Sequence, residues 1–177
     1  MRKALYILGD LDDGDVGWLA ENGRRITSQP GETLIQAGQP IDTLYVVLDG
    51  RLSVVIGRDV TIAEVGAGDI LGEMSFVEKR PPSVSVVARA ESRLLAVSQA
   101  SLREALKREP AFAARFYRAL AVFLSDRLRD TADQLGYGDA KQRPDAGGEL
   151  DEGVLDNVHI AGERMRRLLT LLEGRRV

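Results

Sequence analysis

The chain has 177 residues, 44% of them hydrophobic, enough for one domain of ordinary size with a sizeable core and a tail. A net charge of −3 leaves no broad basic surface for nucleic acid and no strong pull toward anionic lipid. Cysteine is absent, which excludes disulfides, thiolate metal sites and a cysteine nucleophile. The opening MRKALYILGD has too short an apolar run for a signal peptide, and no run reaches membrane-spanning length, so a cytoplasmic protein is expected.

Residues 5 to 23 read as helical, with Leu8, Leu11, Val16 and Leu19 as core contacts and Trp18 beside them. Asp10, Asp12, Asp13 and Asp15 cluster there without a basic partner and read as a solvated helix start. From Arg24 to Ser98 the chain turns to short segments rich in Val, Ile, Leu and Thr, punctuated by glycine. TLYVVLDGRLSVVI is expected to form a hairpin turning at Asp49-Gly50. DVTIAEVGAGD, SVSVVARA and SRLLAVS read as further strands, spaced as in an all-β sandwich or barrel.

After Ser98 the pattern becomes helical. QASLREALKREP is a short helix stopped by Pro110, and a long helix follows over about 110–135. Phe112, Phe116, Leu120, Phe123, Leu124 and Leu128 form its apolar stripe, which suits either a two-fold dimer interface or packing on the chain's own strands. Residues 136–153, rich in Gly, Asp, Glu and Pro, read as a flexible acidic linker. Val154, Val158, Ala161, Met165, Leu168 and Leu172 then recur at heptad-like spacings, which predicts an amphipathic tail helix over 154–173. Arg164, Arg166 and Arg167 are its basic residues, read as a solvated face or a contact for an acidic partner.

The segments PGETLIQAGQPIDTLYVVLDGRLSV, VGAGDILGEMSF and RPPSVSVVA, in that order, resemble the cyclic nucleotide-binding domain family across roughly residues 5–135. Gly31, Gly38, Gly50, Gly68 and Gly72 match the family's turn glycines. The resemblance implies an α+β, mainly β fold: an antiparallel, jelly-roll-like β-roll over about 24–98, flanked by helices, in a domain covering 1–135. It also implies that a cyclic nucleotide, cAMP or cGMP, is the ligand and that no other cofactor is required. In the family a Gly-Glu pair opens the phosphate-binding cassette, and its glutamate accepts a hydrogen bond from the ribose 2′-hydroxyl. Here those positions are Gly72 and Glu73. Amides of Met74, Ser75, Ser83 and Val84 are further candidate donors to the ligand, because a helix N-terminus presents free N–H groups.

The family cassette ends in Pro-Arg, whose arginine clamps the phosphate; here the pair is Pro81-Pro82, and Pro82 has neither charge nor amide donor. Losing a two-bond, charge-assisted clamp costs about 3–6 kcal/mol, or roughly two to four decades of affinity. Arg80 either reaches toward the vacated place or is a surface charge. Thr131, late on the long helix, aligns with a family contact to the base, and otherwise reads as a solvated side chain. Val54, Ile56 and Leu71 can line the pocket or simply fill the core.

The stretch after Leu135 is too short for the helix-turn-helix of the family's activators, so direct DNA binding is not expected, nor is a membrane contact. The only histidine, His159, lies far from the strands and is expected to be exposed. With no histidine cluster, nucleophile elbow or P-loop, catalysis is not expected. The expected role is a sensor that signals through its helices to a protein partner or a second copy. The alternative is a ligand-independent adaptor with a vestigial pocket.

Overall fold

A computed structural model gives the fold, and it describes residues 5–57, 60–134 and 152–174. The N-terminal helical zone divides into α1 (Leu5–Asp10) and α2 (Asp13–Asn22). Asp12 makes the break. Its carboxylate accepts from the Asp15 amide while the Asp15 carboxylate accepts from the Asp12 amide, both at 2.9 Å, a reciprocal cap that starts a new helix.

Eight strands follow among the described residues: β1 (Gly23–Ser28), β2 (Thr33–Ile35), β3 (Thr43–Asp49), β4 (Arg51–Ile56), β5 (Val60–Gly66), β6 (Ile70–Leu71), β7 (Ser85–Ala88) and β8 (Ser92–Ser98). The helix α3 (Glu73–Glu78) interrupts them, and α4 (Gln99–Arg108), α5 (Pro110–Gln134) and α6 (Glu152–Glu173) complete the order. The strands form two four-stranded antiparallel sheets, ordered β1-β8-β3-β6 and β2-β7-β4-β5. This is the expected β-roll flanked by helices.

The expected hairpin at Asp49-Gly50 is not one. β3 pairs with β6 and β8, whereas β4 pairs with β5 and β7, so the chain crosses from one sheet to the other at Gly50. Val46, Val47 and Leu48 are buried in succession, as are Leu52, Ser53, Val54 and Val55, a pattern of strands covered on both faces. A tight hairpin with one wet face would alternate instead. Gly50 suits the crossing because it adopts φ 108° and because a Cβ there would lie 2.5 Å from the Ser92 Cα.

Two clusters make the core. One fills the roll with Ile35, Val47, Leu52, Val65 and Leu94 among others. The second joins the helices to the outer face of the first sheet. Phe112, Phe116, Leu120 and Phe123 of α5 are buried there and Leu124 packs beside them, so the stripe covers its own roll; Leu128, expected within it, is 72% exposed. The tail helix also packs in cis, against α1 and α2, with Ala161, Leu168 and Leu172 buried and Met165 partly so. Its observed start, Glu152, takes in the last two positions of the expected linker; the remainder of 136–153 and the side chains of Val154 and Val158 lie outside the described residues. Among the described residues no helix is long and apolar enough to cross a membrane.

Candidate functional site

α3 sits between β6 and β7 and forms one wall of a pocket of about 240 Å³. Gly72 precedes it with φ 86°, and a Cβ there would approach the Thr43 carbonyl to 2.8 Å, so glycine is required on two counts. The packing of α3 is set by Phe76, which is buried edge-on to Phe116 of α5 at 5.7 Å between ring centroids. The Arg103 guanidinium of α4 lies 4.7 Å from the same ring centroid and donates to the Phe76 carbonyl at 2.9 Å. The wall therefore bears on α4 and α5, the first two helices after the roll.

Glu73 is 3% exposed and faces the pocket. Its carboxylate accepts a hydrogen bond from Arg127 Nη1 of α5 at 2.6 Å. Burial pushes the Glu73 carboxyl above its ordinary value, and the Arg127 charge opposes that shift. The Arg127 guanidinium also lies 4.9 Å from the Phe123 ring centroid. Its Nη2 is buried with no hydrogen-bond partner among the described residues.

Sequence reasoning missed Arg127, although a signal was present. Phe116, Leu120 and Phe123 continue at helical spacing to position 127, so an arginine occupies a place on the buried stripe. A cation there needs a buried partner.

The structure brings Gly72, Glu73, Met74, Ser75, Arg80, Ser83 and Val84 to this one pocket, with Val54 and Leu71 at its apolar end. Arg80 lines it while remaining exposed, and makes no ion pair among the described residues. Pro82 also lines it, and its carbonyl accepts from the Gly38 amide at 2.8 Å, which fixes the loop after α3. Ser85 holds the same loop by accepting from the Ala37 amide at 2.9 Å.

Two expected contacts are not brought to the pocket. The Thr131 side chain is exposed and its hydroxyl donates to the Arg127 carbonyl one turn back at 2.9 Å, a bond that turns it onto the helix surface. Ile56 is 49% exposed at the end of β4. His159 is exposed, as expected, and lies 3.5 Å from Glu163 on its own helix. The acidic cluster is not a solvated helix start. Arg115 pairs with Asp12 and Asp15, Arg118 approaches Asp10, and Arg167 pairs with Asp13.

The pocket thus offers a carboxylate acceptor, the N-terminal end of α3, one unpaired cation and an apolar end. Those groups fit a ligand that carries a hydroxyl, one anionic group and a flat apolar portion. They do not supply a charged clamp at position 82.

Residues 25–109 match the family model described as "Cyclic nucleotide-binding domain". The human voltage-gated inwardly rectifying potassium channel KCNH6 is 33% identical over 71% of this chain and 13% of its own length. The cAMP-dependent protein kinase regulatory subunit of Blastocladiella emersonii is 29% identical over 62% of this chain and 30% of its own. The chain therefore spans less than a third of the length of these relatives. Among solved structures, a cyclic nucleotide-binding domain from Methylobacillus flagellatus aligns with a TM-score of 0.69 and 26% identity, covering 84% of this chain and 85% of that one. With two antiparallel sheets, a helix inserted between β6 and β7 and a matching stretch that covers nearly all of the roll, residues 25–109 form a domain of the cyclic nucleotide-binding family.

Proposed function

We propose that the pocket binds a cyclic nucleotide, cAMP or cGMP, and that the chain is a non-catalytic regulatory sensor. The observation that carries this reading is Glu73, a buried carboxylate at the head of α3, facing the pocket within the stretch that matches the family. Glu73 accepts from the ribose 2′-hydroxyl; the amides of Met74, Ser75, Ser83 and Val84 approach the phosphate, with Arg80 as the nearest free cation. Because Arg127 already holds Glu73, a ligand hydroxyl competes with an α5 side chain for the same oxygens. Occupancy thereby alters the hold on α5, and its output passes to a protein partner or a second subunit. A ligand acts in this way only through its differential affinity for the two arrangements.

Two observations favour the second reading, an adaptor with a vestigial pocket: Glu73 already pairs with Arg127, and Pro82 provides no clamp. Isothermal titration with cAMP and cGMP up to millimolar concentrations separates the two. Micromolar heats that vanish in Glu73→Gln support the sensor, and silence with both nucleotides rejects it.

A further inference from the structure

The acidic turn between α1 and α2 is shared by two helices that lie far from it in sequence, α5 and α6. From α5, Arg115 reaches Asp12 at 2.8 Å and Asp15 at 2.6 Å. From α6, Arg167 pairs with Asp13, and Arg164 Nε lies 4.0 Å from the same carboxylate. Arg164 Nη1 also donates to the carbonyls of Leu8 at 3.0 Å and Gly9 at 2.5 Å. Those carbonyls belong to the last turn of α1, a six-residue helix with no basic residue in that turn. A helix so short does not hold itself together in water, so α6 supplies the cation that α1 lacks.

The two attachments differ in strength. Asp15 is 3% exposed and gripped by both arms of Arg115. The Arg167 and Asp13 side chains are 51% and 60% exposed, a solvent-screened pair of the kind that adds little to stability. The apolar face of α6 adds Ala161, Leu168 and Leu172 as buried side chains among the described residues, with Met165 and Leu169 partly buried beside them. The α5 ion pair with Asp15 is therefore the more buried and the α6 ion pair with Asp13 the more exposed, while Arg164, 21% exposed, carries the rest of the α6 attachment through the α1 carbonyls.

We propose that α6 is a releasable arm docked on the α1–α2 corner by Arg164 and Arg167, and that the turn Asp10–Asp15 couples its docking to the position of α5. A shift of α5 moves Arg115, tilts the turn and weakens the hold on Arg164 and Arg167. The arm stands on these contacts alone, whereas its control by the pocket rests on the nucleotide reading.

Hydrogen exchange on the full chain tests both. Arg164→Gln with Arg167→Gln should speed exchange across 152–174 and 5–10 by about ten- to a hundredfold, the loss of roughly one charge-assisted bond, with β3, β4 and β8 unchanged. Arg115→Gln should raise exchange in 152–174 as well, although it lies on α5. If the double variant leaves 152–174 protected, or opens the strands together with it, α6 is a fixed part of the fold and the arm is refuted. Saturating cAMP, with binding measured separately by titration, should change protection at 152–174. Binding without that change rejects the coupling and leaves the sensor intact. Absence of binding rejects the sensor, and the arm is then decided by the arginine variants.

Discussion

Replacing Arg127 by Met keeps an apolar stem over Phe123 and removes only the cation. Glu73 then remains 3% exposed without its countercharge. Removing one partner of a buried pair costs about 3–5 kcal/mol. The Arg127 side chain is 32% exposed, so water already screens part of the attraction, and a loss of about 2–3 kcal/mol is expected at neutral pH. The loss should depend on pH. Burial raises the Glu73 carboxyl and Arg127 holds it down, so the substitution raises it further. Between the unfolded value and this raised value the native state binds more protons than the unfolded state, and stability falls as pH rises through that window. Urea unfolding measures this directly. With a slope of about 2 kcal/mol per molar, the midpoint should drop by about 1–1.5 M at pH 7, and by markedly less at pH 5. An equal drop at both pH values, or none, would refute the buried-charge reasoning.

Pro82→Arg should tighten cAMP binding by about ten- to a hundredfold, the worth of one charge-assisted hydrogen bond, while keeping the carbonyl that Gly38 uses. Unchanged affinity by calorimetry would remove the missing clamp as an explanation of weak binding. Gly50→Ala should destabilise the chain by about 3 kcal/mol or more in denaturant unfolding, from its φ of 108° and the contact with Ser92. Leu128→Glu should leave stability within about 0.5 kcal/mol, because the side chain is 72% exposed; a larger loss of stability in a sedimentation-verified monomer would contradict that placement. The Asp12 carboxyl is held below its ordinary 3.8, first by the Asp15 amide, so its stabilising effect is present above that value and is lost as pH falls through the lowered one. Carboxyl NMR should find its midpoint below 3.8; a midpoint at or above it would deny the capping box.

The strand zones, the helix over Pro110–Gln134 and the apolar period of α6 were legible because each rests on local periodicity and punctuation. Which strands pair was not. Asp49-Gly50 carries the same local signal whether a chain doubles back or crosses to another sheet, and only the doubly buried character of β3 and β4 separates the two. At the pocket, Gly72 to Val84 could be named because they are contiguous in sequence. Arg127 could not be assigned without knowing that α5 lays residue 127 against residue 73. The arginines of α6 and the aspartates of the first turn each looked solvated in isolation. Their partners are a hundred or more residues away in the chain, and charge pairing over such separations leaves no local pattern.

The crossing at Gly50 bears on how the chain reaches this structure. Since β3 and β4 do not pair, neither sheet gains a tight two-stranded nucleus from that turn, and the first sheet depends on distant pairings such as Gly23 opposite Val97. High contact order of this kind slows folding, because loop closure precedes the contacts that reward it. During that delay β1 and β3 both lack their shared neighbour β8, and their unpaired edges are open to other chains. Refolding yield should accordingly fall with protein concentration even under conditions where the native state itself is stable.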